Sequence, residues 1–148
     1  MDKVLLATIA TLAAGGLIAL QAPLNSELGH SVGTLAAASV NFVVGTVILV
    51  ALVLVAGGGY ANVSEAGSLP WYYVLGGGIL GAAYVTVALV TVRSLGAGGV
   101  TAATLAGQLA ASLVIDRAGV LGLAEREITL PRVAGVVLLL VGTYLVVR

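Results

Sequence analysis

Five polar side chains recur through one apolar stretch of this chain. Thr101, Thr104, Gln108, Ser112 and Asp116 follow one another at intervals of three, four, four and four residues, a spacing that sets them on one face of a helix. Further amides interrupt other apolar stretches: Gln21 and Asn25, four residues apart around Pro23, and Asn41. Tyr84 adds a phenol inside a glycine-rich run, and a phenol away from water wants a hydrogen-bond partner. Amides and hydroxyls recognise polar solutes, or one another, by hydrogen bonding. They do not supply a nucleophile, a base and a group to orient the base, so the chain does not read as an enzyme. The one histidine, His30, cannot hold zinc alone, and there is no cysteine. No metal and no cofactor is expected.

The elements that must carry these groups follow from composition. Of 148 residues, 60% are hydrophobic and 8% charged, with a mean hydropathy of +1.18. Soluble domains carry about 25% charged residues, and 6 basic and 6 acidic side chains cannot cover a domain of this size with a polar surface. A formal net charge of +0 leaves no basic face for a nucleic acid. The apolar residues fall in five blocks, at 4–20, 35–56, 71–92, 99–115 and 131–147, each near the ~20 residues that cross a ~30 Å hydrocarbon core as a helix. A transmembrane barrel would show alternating segments of about 10 residues instead of unbroken runs. The expected fold is therefore all-α: a polytopic membrane protein, with five transmembrane helices in one bundle and a single membrane domain over 1–148.

Between the blocks, the sequence expects links at 22–33, from Gly57-Gly58-Gly59 to Leu69-Pro70, and around Gly96, Gly98 and Gly99. Trp71, Tyr72 and Tyr73 mark an interfacial aromatic belt where the third helix enters the membrane. Thr129 or Leu130 falls in the N-cap region of the fifth helix, with Pro131 in its first turn. Gly, at 21 residues, is about twice as common as on average, which points to closely approaching helices. Gly77 and Gly81 form one such packing face, and Ala37, Asn41 and Gly45 another. Lys3 ahead of a hydrophobic run is also how a secretory signal begins, but no small-x-small cleavage pattern follows, so the first block is expected to stay as a helix.

Five spans would put the termini on opposite sides. Lys3, Arg117, Arg126 and Arg132 then lie on the N-terminal side, and Arg93 and Arg148 on the other. The positive-inside rule favours a cytoplasmic N-terminus, with so small a bias that insertion in both orientations is compatible with it. The acids Asp2, Glu27, Glu65, Asp116, Glu125 and Glu127 map to loops or helix ends on these spans. Recognition is accordingly expected to use amides and hydroxyls, with no titrating carboxylate at the membrane centre. Asp116, beside Arg117, is expected to pair there or to be solvated.

Several segments together resemble the small YdcZ-like proteins of the drug/metabolite transporter superfamily. They are Gln21-Ala22-Pro23-Leu24-Asn25-Ser26-Glu27-Leu28-Gly29 after the first helix and Ser39-Val40-Asn41-Phe42-Val43-Val44-Gly45 in the second. Trp71-Tyr72, Leu75-Gly76-Gly77-Gly78 and Gly81-Ala82-Ala83-Tyr84-Val85 are similar to the third, and Gly107-Gln108-Leu109 through Ile115-Asp116, then Gly119 and Gly122, to the fourth helix and its loop. Asn41 departs from the family pattern, where Ser is more usual. The resemblance runs the length of the chain and implies a five-helix unit that is half of a ten-helix inverted-repeat assembly in a bacterial inner membrane. A lone unit of this kind would work as an antiparallel, dual-topology homodimer.

Two functional readings remain at this point. In the first, the chain is a transporter of a small polar solute or metabolite, acting by alternating access, with Gln21, Asn25, Asn41, Tyr84, Thr104, Gln108 and Ser112 lining the substrate cavity. In the second, it is a non-transporting scaffold or a subunit of a larger membrane complex, and the polar row on the fourth helix is a hydrogen-bonded packing seam. The expected partners are a small-molecule substrate, the lipid bilayer and a second copy of the chain.

Overall fold

A backbone in hydrocarbon has no water to satisfy its N–H and C=O groups, and a helix satisfies them within one segment. The computed structural model, which describes residues 2–56, 60 and 63–148, is built this way, and no strand occurs among those residues. Helix α1 covers Lys3–Val32, α2 Thr34–Val55, α3 Trp71–Ala118 and α4 Leu130–Val147, with a short 3-10 turn at Val63–Ser68 between α2 and α3. All four α-helices are long and apolar enough to cross a membrane. Gly57, Gly58 and Gly59 of the expected link lie outside the described residues. The chain divides into two compact units, Met1–Arg93 and Ser94–Arg148.

In the first unit, the Asp2 carboxylate opens α1 by accepting the Val4 N–H at 3.1 Å. The helix does not stop at Leu20: the expected link at 22–33 is helical as far as Val32 and includes Gln21, Pro23 and Asn25. Pro23 removes one backbone donor, a loss that membrane helices tolerate. The actual break is Gly33, with φ 90° and ψ 151°, a backbone region essentially reserved for glycine. This single residue ends α1 and begins α2.

The two helices and the part of α3 before Gly96 share one apolar cluster. Ala37, Ala38, Val85 and Leu89 form it, and Leu28 and Tyr84 pack against it. A Cβ on Gly29 would stand 3.2 Å from Leu89 Cδ2 and 3.8 Å from Ala37 Cβ, and one on Gly81 would stand 3.4 Å from the Phe42 ring. Lipid tails are as apolar as leucine, so close fit more than exclusion from water holds such a cluster together. Of the expected packing pair, Gly81 makes its contact, while nothing lies within 4 Å of the Cβ position at Gly77.

Helix α3 is 48 residues long, with Gly96 alone in a non-helical conformation, φ 69° and ψ 168°. It separates an arm at 71–95 from an arm at 97–118. The expected turn around Gly96, Gly98 and Gly99 thus shrinks to one residue, because only Gly96 needs a conformation that side chains forbid; Gly98 and Gly99 are helical.

In the second unit, the 97–118 arm packs on α4. Thr143 Oγ1 reaches the Ala102 carbonyl at 3.0 Å and its own helix at Leu139 O at 2.8 Å. Cβ atoms on Gly98 and Gly99 would lie 3.6 Å from Val146 and 3.2 Å from Val147. Thr129, extended at φ −97° and ψ 154°, is the N-cap of α4, and Pro131 sits in its first turn as expected.

Candidate functional site

Four of the seven expected site residues belong to the first unit and three to the second. Gln21 and Asn25 lie in α1, Asn41 in α2 and Tyr84 in the 71–95 arm, all half-buried. Tyr84 alone of these joins the apolar cluster. Asn41 follows the fully buried Ala37 by one helical turn, so it lies on the side of α2 that faces its neighbours.

In the second unit, Thr104 and Ser112 are half-buried and Gln108 is exposed. Ser112 donates to the Leu109 carbonyl of its own helix at 2.8 Å. The face of the 97–118 arm that carries Thr101, Thr104, Gln108, Ser112 and Asp116 therefore makes one bond to another helix, through Asp116. A packing seam within the unit does exist, but its hydroxyl comes from α4, at Thr143.

Asp116 does not pair with Arg117. Its carboxylate takes the Arg132 guanidinium from the first turn of α4, while Arg117 pairs with Glu125. Arg132 also donates to the Glu127 carbonyl at 3.2 Å, and the Arg126 N–H donates to the Asp116 carbonyl at 2.8 Å. Asp116 is thus absorbed in closing the 119–129 loop. Adjacent side chains on a helix diverge by about 100°, so Arg117 points away from Asp116, whereas the loop returns Arg132 to it.

Glu27 and His30, expected in a loop, are exposed residues near the end of α1. Beside them are two residues to which the sequence assigned no part in a site. Ser26 is 7% exposed, and it is the buried polar side chain among the described residues. Its hydroxyl accepts the Arg93 Nε–H at 3.4 Å. The signal for this pair was slight: a lone charge, Arg93, about one membrane thickness along the helix from Trp71.

Long apolar helices, a near absence of charge and amides set within the spans define a polytopic all-α membrane protein. The chain matches the family described as "Putative inner membrane exporter, YdcZ" over residues 6–145. It belongs to that family of membrane transporters, and is an integral protein of the inner membrane. Neither a curated protein nor a solved structure matches it.

Proposed function

We propose that the chain carries a small polar solute across the inner membrane by alternating access, as an antiparallel, dual-topology homodimer. The observation that carries this reading is Gln108. It stands midway along the 97–118 arm, exposed and with no hydrogen-bond partner among the described residues. An amide at that depth is costly in lipid and is retained where it meets water, a solute or a partner. Thr104 and Ser112 flank it on the same face, and within the first unit Gln21, Asn25, Asn41 and Tyr84 are half-buried polar groups.

The break at Gly96 supports five spans. At ~1.5 Å per residue, 48 residues measure about 72 Å, more than twice a ~30 Å core, and the 71–95 and 97–118 arms are each long enough for one crossing. An odd number of spans with four basic residues on one side and two on the other suits insertion in both orientations. Two oppositely inserted copies would form a ten-helix inverted repeat, the arrangement in which many transporters hold substrate near the midplane.

The test has two parts. A cysteine added near each terminus, labelled from either side of sealed vesicles, is expected to react from both sides; one-sided labelling of both termini rejects the dual-topology dimer. Uptake or solid-supported-membrane currents from reconstituted protein, across a panel of polar metabolites, test transport itself. A protein that moves no member of the panel, yet is needed to assemble a larger complex, would be a scaffold instead.

A further inference from the structure

We infer that Ser26 and Arg93 form a binding site for an oxyanion, a phosphate or carboxylate group, on the first unit. Arg93 is exposed, and among the described residues neither ion pair involves it. Asp116 and Glu125 are taken by Arg132 and Arg117. Of the acids in its own unit, Asp2 caps α1, Glu65 lies in the 3-10 turn, and Glu27 is exposed on the α1 face about 100° round from Ser26.

The guanidinium is nevertheless held in place. Its Nε donates to Ser26 Oγ at 3.4 Å, and its Nη2 lies 3.7 Å from where a Cβ on Gly29 would be. Gly29 thus leaves α1 bare beneath it. That orientation occupies one of the five guanidinium N–H donors and leaves the fork of Nη1 and Nη2 for a planar acceptor.

The Ser26 hydroxyl adds a second donor. It accepts from Arg93, but no described residue accepts its proton in return. The hydroxyl proton of Ser26 and the Nη donors of the neighbouring guanidinium are thus both uncommitted, and an oxyanion would take charge-assisted bonds from the guanidinium.

Position along the helix fits such a ligand. Arg93 follows Trp71 by 22 residues of helix, roughly 33 Å at ~1.5 Å per residue, so it lies one hydrocarbon thickness from the aromatic belt of Trp71, Tyr72 and Tyr73. That is the level of lipid phosphates on the opposite face, and also the mouth through which a soluble anion would arrive. The site asks nothing of transport, so it stands or falls separately from the exporter reading.

The probe for the soluble source is inorganic phosphate, titrated at constant ionic strength against the full chain in a neutral detergent, with Tm as the readout. The probe for the lipid source is a nanodisc of phosphatidylcholine alone compared with one containing phosphatidylglycerol. A saturable rise in Tm is expected in at least one arm. The phosphate-dependent rise identifies a soluble anion, and a rise confined to phosphatidylglycerol identifies a headgroup. In the responding arm, Arg93→Gln is expected to weaken apparent affinity tenfold or more, Arg93→Lys less, and Arg148→Gln not at all. Ser26→Ala, which removes one donor and little volume, is expected to weaken it severalfold and keeps the test valid should Arg93→Gln fail to fold. No rise in either arm, or a rise that Ser26→Ala and Arg93→Lys both leave unchanged, overturns the site.

Discussion

Asp116 and Arg132 each sit at the wrong end of their own helix and at the right end of each other's. Asp116 lies in the last turn of α3, where the helix dipole disfavours a negative charge, and Arg132 in the first turn of α4, where it disfavours a positive one. Their ion pair crosses 16 residues of chain, so the carboxylate meets the N-terminal end of α4 and the guanidinium the C-terminal end of α3. Both charges are therefore well placed only while the hairpin is closed.

A charge-reversal cycle tests that relationship. The two side chains are 24% and 30% exposed, between a surface pair and a buried one, so Asp116→Asn or Arg132→Gln alone is expected to cost about 1–2 kcal/mol. Asp116→Arg combined with Arg132→Asp keeps the pair and also matches each charge to its own helix dipole. The double variant should melt at or above the wild type in detergent. A double variant less stable than either single reversal would refute the crossed arrangement.

Gly96 and Gly107 make a matched comparison within α3. At φ 69° and ψ 168°, Gly96→Ala is expected to cost about 1–3 kcal/mol in backbone strain. Gly107 lies in regular helix with nothing within 4 Å of its Cβ position, so Gly107→Ala should be neutral or stabilise by roughly 0.5–1 kcal/mol. Thermal melts of the two variants, side by side, check the ranking. Equal effects would mean that the helix passes through residue 96 unbroken.

Gly29 fits against Leu89, which is the large side chain fully buried among the described residues. With the Cβ position 3.2 Å from Leu89 Cδ2, Gly29→Ala forces a shift of a few tenths of an ångström that a flexible leucine end can make. Gly29→Val is expected to overpack, at about 1–3 kcal/mol, and Leu89→Ala in the Gly29→Val background should recover part of that loss. Purely additive costs for Gly29→Val and Leu89→Ala would show that the two do not touch.

Gln108→Leu separates cavity lining from packing. As a cavity residue, it should lose transport with Tm nearly unchanged. As a packing bond, it should lower stability by ~0.6–2 kcal/mol and leave transport in place. We expect the first, and substantial transport by Gln108→Leu in reconstituted vesicles would reject it.

The membrane class, the helical fold and the placement of most apolar blocks were determined by sequence alone, because an unbroken apolar run about 20 residues long has one way to satisfy its backbone in lipid. The exporter family was legible for a related reason: the segments Gln21 to Gly29, Gly81 to Val85 and Gly107 to Leu109 resemble it in order along the chain, and the family match covers residues 6–145. What the sequence could not decide is where a helix yields. Pro23 and Gly33 both look like breaks, as do Gly96, Gly98 and Gly99, yet only Gly33 and Gly96 adopt backbone angles that other residues avoid. Nor could it decide partners. Asp116 has Arg117 next to it in sequence and Arg132 next to it in space, and Ser26 meets Arg93 across 67 residues. Those pairings depend on how the helices pack, and a one-dimensional pattern records which face a side chain occupies but not what is brought up against it.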